Sequence, residues 1–145
     1  MTSEKIENGQ QISIREGLFD AGFKNLLGSR CAHCGEVGLG SRTVCANCGK
    51  RELEVFPLSS DGSLWTYTVI RHEPPGDYKG PKPFQPYGVG LVELPEGIMV
   101  LSVLECDVEK LQVGLPMILK IFSMYQDDDS NDVMTFVFKP SEEAA

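Results

Sequence analysis

Four cysteines fall in two short knuckles, Cys31-Ala32-His33-Cys34-Gly35 and Cys45-Ala46-Asn47-Cys48-Gly49, with Gly35 to Val44 between them. Each C-x-x-C turn presents two sulfurs from one tight bend, and the glycine after it accepts a left-handed backbone. Two such turns bring four thiolates to one tetrahedral ion. The spacing predicts a zinc ribbon in which Cys31, Cys34, Cys45 and Cys48 hold one structural Zn2+. A rubredoxin-like iron site and a redox dithiol pair are the alternatives. Four thiolates close the coordination shell, leaving no position for water or substrate, so catalysis at this metal is not expected. His33 then reads as a solvent-facing knuckle residue. Cys106, at the end of an apolar strand, reads as a small buried hydrophobe and not a nucleophile.

A second group of residues lies in a long connection, Arg71 to Tyr87, that carries five prolines. Connections of this length in a compact domain are usually functional or mobile. Arg71, Lys79 and Lys82 stand beside Tyr78, Phe84 and Tyr87, a mixture suited to an anionic, partly aromatic ligand or to a partner's surface. The other reading is a proline-stiffened loop shielding a barrel edge. His72, just after a strand, is a candidate proton donor or ligand contact.

Motifs for self-contained catalysis are missing: the sequence has no G-x-S-x-G elbow, phosphate-binding P-loop, G-x-G-x-x-G fingerprint or H-E-x-x-H. With only two histidines, His33 and His72, there are few candidates for a nucleophile and base pair. The net charge of −8 argues against polyanion binding. From Gln126 onward six acids face only Lys139, which reads as a solvated loop and tail. No apolar run is long enough to span a membrane. The polar start, Met1 to Gln11, has no secretory character, and an odd fifth cysteine would be awkward in an oxidising compartment. The expected location is cytoplasmic.

The elements that must position these groups form distinct zones: a polar leader 1–11, a helix and ribbon 12–55, a β-rich unit 56–140 and an acidic tail 141–145. Leu18, Phe19 and Phe23 recur near the helical period, predicting a short helix around Ile14 to Ala21 with an apolar face suited to docking on a partner. Lys24 to Arg30 reads as helix or as a strand feeding the first knuckle. Beyond Gly62 the pattern changes to period two. Strands are expected over Leu64 to Ile70, Gly88 to Leu94, Ile98 to Cys106, Met117 to Tyr125 and Val133 to Phe138, with a tight Pro95-Glu96-Gly97 turn between the second and third. Five short antiparallel strands predict a small closed barrel; an open sandwich is the alternative.

The ordered set resembles a family of small proteins that join a rubredoxin-like zinc ribbon to an OB-fold associated with acyl-CoA enzymes. The resemblance spans about residues 12 to 140. It is carried by Glu16-Gly17-Leu18, the two knuckles, Gly62-Ser63-Leu64-Trp65-Thr66-Tyr67-Thr68-Val69-Ile70 and Pro86-Tyr87-Gly88-Val89-Gly90-Leu91-Val92-Glu93-Leu94. Gly97-Ile98 and Leu111-Gln112-Val113-Gly114-Leu115-Pro116-Met117 extend it. The stretch Glu36 to Val44 departs from the pattern, being glycine-rich where relatives often carry proline and aromatics. The resemblance implies a mostly β protein: a five-stranded OB-fold barrel with an N-terminal helix and a zinc ribbon. It also implies a non-catalytic subunit of a thiolase-fold partner that supplies the active residues for thiolysis, acetyl transfer or a retro-aldol step on a CoA thioester, in an assembly such as two plus two. Two other function classes stay open: a single-stranded nucleic-acid binder stacking bases on Trp65 or Tyr67, which the charge disfavours, and an iron electron carrier.

Overall fold

In a computed structural model, residues 10–76 and 83–141 are described. Among the described residues nine strands run in chain order: β1 (Gln11–Ser13), β2 (Leu27–Cys31), β3 (Val37–Leu39), β4 (Leu53–Pro57), β5 (Asp61–Ile70), β6 (Tyr87–Glu93), β7 (Met99–Leu104), β8 (Pro116–Gln126) and β9 (Asp132–Pro140). Among the described residues the only helix is a single 3-10 turn, Val108–Lys110, so none is long and apolar enough to cross a membrane.

The last five strands close on themselves. Antiparallel pairs β5–β6, β6–β7, β5–β8 and β8–β9 are joined by one parallel contact, Leu104 to Phe138, between β7 and β9. This is the five-stranded OB-fold barrel, and each strand alternates as its sequence dictates: Val100, Ser102 and Leu104 of β7 point in, while Met99, Leu101 and Val103 point out. Phe138, Leu64, Val92, Val100 and Met117 fill the centre. The β6–β7 turn closes with Leu94 N–H donating to Ile98 O, and Gly97 takes φ of +89° there. Asp107 precedes the 3-10 turn, but its carboxylate makes no cap bond; its carbonyl accepts from Lys110 N instead.

The N-terminal helix does not form. Gly17 and Phe23 both take left-handed backbone, with φ of 80° and 54°, and each interrupts a right-handed helix. The backbone bonds go elsewhere: Leu27 N–H donates to Leu18 O, Asp20 N–H to Asn25 O, and Phe19 bridges Leu26. The Asp20 carboxylate caps the bend by accepting from Lys24 and Asn25 N–H, a local competition that short polar side chains win over helix. Ahead of this bend β1 adds in parallel to β9, so the chain's first described strand belongs to the barrel sheet.

The three-stranded sheet β3-β2-β4 sits beside the barrel and shares its core. The seam is Leu18, Phe19, Leu26 and Leu58, all buried. Phe19 packs edge-on to Phe136 of β9, and Leu58 N–H donates to Leu26 O. Gly28 leaves the space for Leu58, since a Cβ there would lie 2.7 Å from its Cδ2. The link from β4 to β5 is latched by Ser59, whose N–H and hydroxyl donate to Glu96 Oε2 at 3.0 and 2.7 Å.

Candidate metal centre

Strand β2 ends on Cys31, and β3 and β4 flank it, so the first knuckle is held at the end of a paired sheet. The two knuckles repeat one bonding pattern. Cys31 N–H donates to Glu36 O and Cys45 N–H to Lys50 O; Gly35 N–H donates to Cys31 O and Gly49 N–H to Cys45 O, all at 2.8 to 3.0 Å. Gly35 and Gly49 take φ of 78° and 80°, and a Cβ at either would meet nothing, so both positions need glycine for conformation and not for space.

The four sulfur atoms lie within 4.8 Å of one another, with Cys31 to Cys48 at 3.5 Å and Cys34 to Cys45 at 3.6 Å. A tetrahedral ion with bonds of about 2.3 Å sets sulfurs about 3.8 Å apart, so the set can hold one metal ion with small adjustments. Cys31 and Cys45 are buried and Cys34 and Cys48 exposed, which places the cluster half in the fold. The sulfurs also accept peptide N–H groups, His33 and Asn47 at 3.4 and 3.3 Å to Cys31 and Cys45 respectively. The Asn47 side-chain amide reaches Cys34 Sγ at 3.5 Å. That amide first, and the Glu36 N–H next, favour the thiolate and pull Cys34 down to about 6. Such outer donors orient ligands and share their charge, so the chemistry of the donor set suits a closed structural site.

His33 is outside the cluster. Its Nε2 pairs with the Glu52 carboxylate at the foot of β4, tying the first knuckle to the sheet. Sequence reasoning missed Asn47 and Glu52; an amide between two knuckle cysteines was the available signal for Asn47, while Glu52 is paired only by the β2–β4 register.

The other predicted contacts are dispersed. Arg71 and His72 are exposed just beyond β5, and the opposite arm of the connection returns at Tyr87, paired in register with Ile70. Phe84 and Tyr87 meet edge-on with centroids 6.0 Å apart. Tyr78, Lys79 and Lys82 lie outside the described residues. Leu18 and Phe19 are buried in the seam and Phe23 packs against it, so this trio serves the chain's own core and cannot form the predicted docking helix. Cys106 is half-buried in a shallow groove with Leu111 and Leu115, where burial and the neighbouring Asp107 charge push its thiol up, away from nucleophile chemistry.

Fold and site together define a class: a four-cysteine ribbon packed on an OB barrel. Residues 56–121 match the family described as the C-terminal OB-fold domain of ChsH2. A DUF35 domain-containing scaffold protein of Methanocaldococcus jannaschii is 32% identical over 116 residues, 79% of each chain. The benzoylsuccinyl-CoA thiolase subunit BbsA of Thauera aromatica is 32% identical over 110 residues, 70% of this chain and 72% of that one. Among solved structures, the Ltp2-ChsH2(DUF35) aldolase superposes with a TM-score of 0.60 at 28% identity, covering 81% of this chain and 85% of the other. The chain belongs to the DUF35 family.

Proposed function

We propose that this chain is a non-catalytic accessory subunit of a thiolase-like acyl-CoA enzyme in the cytoplasm. The observation that carries this reading is its likeness over most of its length to the thiolase subunit BbsA, supported by its likeness to the DUF35 chain of an aldolase. In this reading the four cysteines hold zinc as a structural ion, and the ribbon takes part in docking on a thiolase-fold subunit in a two-plus-two assembly. The barrel and the 71–87 connection help to hold the CoA thioester. Arg71, Lys79 and Lys82 supply charge for CoA phosphates, His72 a polar contact, and Tyr78, Phe84 or Tyr87 a face for the adenine ring. The substrate class is an aryl acyl-CoA such as benzoylsuccinyl-CoA. The partner supplies the reacting groups; this chain binds, orients and excludes water.

The experiment is capture of the tagged chain from its native lysate, identification of the bound protein, and assay of the pair against acyl-CoA thioesters. A stoichiometric thiolase-fold protein whose activity needs this chain is the expected result. Nucleic acid or transcription proteins in its place overturn the reading. In the active pair, Arg71→Ala, or Lys79→Ala with Lys82→Ala, should raise KM for the thioester several-fold with kcat nearly unchanged. An unchanged KM removes the connection from the CoA site.

A further inference from the structure

The barrel carries an apolar outer face that its own core does not use. The register of β5, β6 and β7 places Thr66, Leu91 and Leu101 in one row and Thr68, Val89 and Val103 in the next, with Met99 opposite Glu93. Directly opposed residues share a face, so these side chains form one surface. A bulge between Leu64 and Thr66 inserts Trp65 and turns it outward at the edge of the same surface. Leu101 is 65% exposed, Trp65 52% and Val103 43%. One exposed leucine needs no explanation, but a register-aligned group with Glu93 as its only charge does. The strand Met99–Leu104 carries no charge and no proline, so its outward side chains Met99, Leu101 and Val103 are all apolar.

Its place in the fold points to binding. β6 and β7 are the second and third strands of the barrel, and OB barrels bind their ligands on that face. Charge decides the occupant. Residues 56–140 hold twelve acids and six bases, so the barrel that carries the apolar face is acidic overall, and Glu93 is the charge set on the face itself. Nucleic acid would be repelled, and a second copy would bring the same net negative charge. An apolar protein surface rimmed by lysine and arginine is complementary on both counts.

We propose that the outer face of β5, β6 and β7 docks an apolar, basic-rimmed surface of the thiolase-fold subunit, with Trp65 and Leu101 as anchors. The identity of that occupant rests on the function proposed above; the face itself does not. Trp65 fits the role because a large rigid ring at the patch edge gains most when a partner covers it.

The test uses the full chain and the thiolase-fold subunit identified by capture, with the Kd of the purified pair measured by titration calorimetry. Leu101→Glu should weaken binding by about 100-fold or more and Trp65→Ala by about 30-fold, the scale of an interface anchor. Met124→Glu, exposed on β8 and outside the β5–β7 face, should bind within about twofold of wild type. Unchanged thermal unfolding of each variant separates lost contact from lost fold, and Trp65→Ala, at an exposed bulge, keeps the test valid should Leu101→Glu misfold. If the wild-type pair forms and both variants bind normally, this inference falls and the subunit role stands. If no thiolase-fold protein binds the wild-type chain, the subunit role falls. A free-chain dimer dispersed by Leu101→Glu, or binding of a single-stranded oligonucleotide lost in that variant, assigns the face to a different occupant and overturns the proposal.

Discussion

In the three-stranded sheet, β3 and β4 contain no fully buried residue, and the buried positions of β2 are Gly28, Ser29 and Cys31. In the barrel every strand contributes at least one buried residue, and Phe138, Leu64, Val92, Val100 and Met117 form a continuous apolar interior. The two regions are of the same secondary structure and solve the stability problem differently. A small sheet with so little apolar burial would draw its stability from ligand bonds to an ion at the four cysteines, whereas the barrel is held by area removed from water. The seam of Leu18, Phe19, Leu26 and Leu58 is where the two regions meet, packing the four-cysteine end against the barrel core.

The largest expected effect breaks the ribbon side of that contrast. With a metal bound at the four cysteines, its removal should forfeit binding free energy on the order of 10 kcal/mol, and Cys45→Ser a part of that. Hydrogen exchange should show the amides of Cys31, Gly35, Cys45 and Gly49 losing protection while those of Leu64 and Val92 keep it. Equal loss in both regions would mean that the barrel depends on the ion. Acid should have the same selectivity, because thiolate ligands must be deprotonated to hold metal.

Next in size is Phe138→Ala, which should cost about 3–5 kcal/mol in urea unfolding through the cavity it leaves. Bound metal per folded chain should not change, and a parallel loss of metal would show that the ribbon borrows its order from the barrel. Leu58→Ala acts on the seam and should cost about 2–4 kcal/mol. Unlike Phe138→Ala, it should also raise exchange on both sides of the join.

A smaller effect sharpens the comparison at the latch. Ser59→Ala removes the hydroxyl donor to Glu96, whose other carboxylate oxygen is already buried without a partner. It should cost about 1–2 kcal/mol and leave the knuckle amides protected. Smallest is the 127–131 turn, where the Asn131 N–H, with help from the Asn131 side chain and Asp129 N–H, holds the Asp127 carboxyl below its usual range. A depressed carboxyl stabilises the fold above the ordinary aspartate range, and this contribution is lost as pH falls through the lowered value. Asp127→Ala should therefore reduce Tm only slightly at pH 7, and the difference from wild type should vanish in strong acid.

Much of this molecule could be read before its fold was known, and the reasons are local. The knuckles were legible because a four-sulfur site needs fixed spacing and a glycine in each turn. The five barrel strands were legible because alternation has a period of two, and the observed strands lie within a few residues of the expected ones. The N-terminal segment was misread because Leu18, Phe19 and Phe23 satisfy a helical period equally well as side chains of a capped bend. Asp20, Gly17 and Phe23 decide for the bend, and only the seam shows why Leu18 and Phe19 are apolar.

The sequence by itself determined the four-cysteine set, the five barrel strands and the charge, since each depends on residue type and short spacing; β1, β3 and β4 were not among the expected strands. Tertiary structure alone decided that β1 joins β9 and that Leu58 locks ribbon to barrel. It also decided that Trp65, Leu91, Leu101 and Val103 share one outer face. Those outcomes depend on register and on a single bulge, and a shift of one residue in a strand sends every side chain to the opposite side of the sheet.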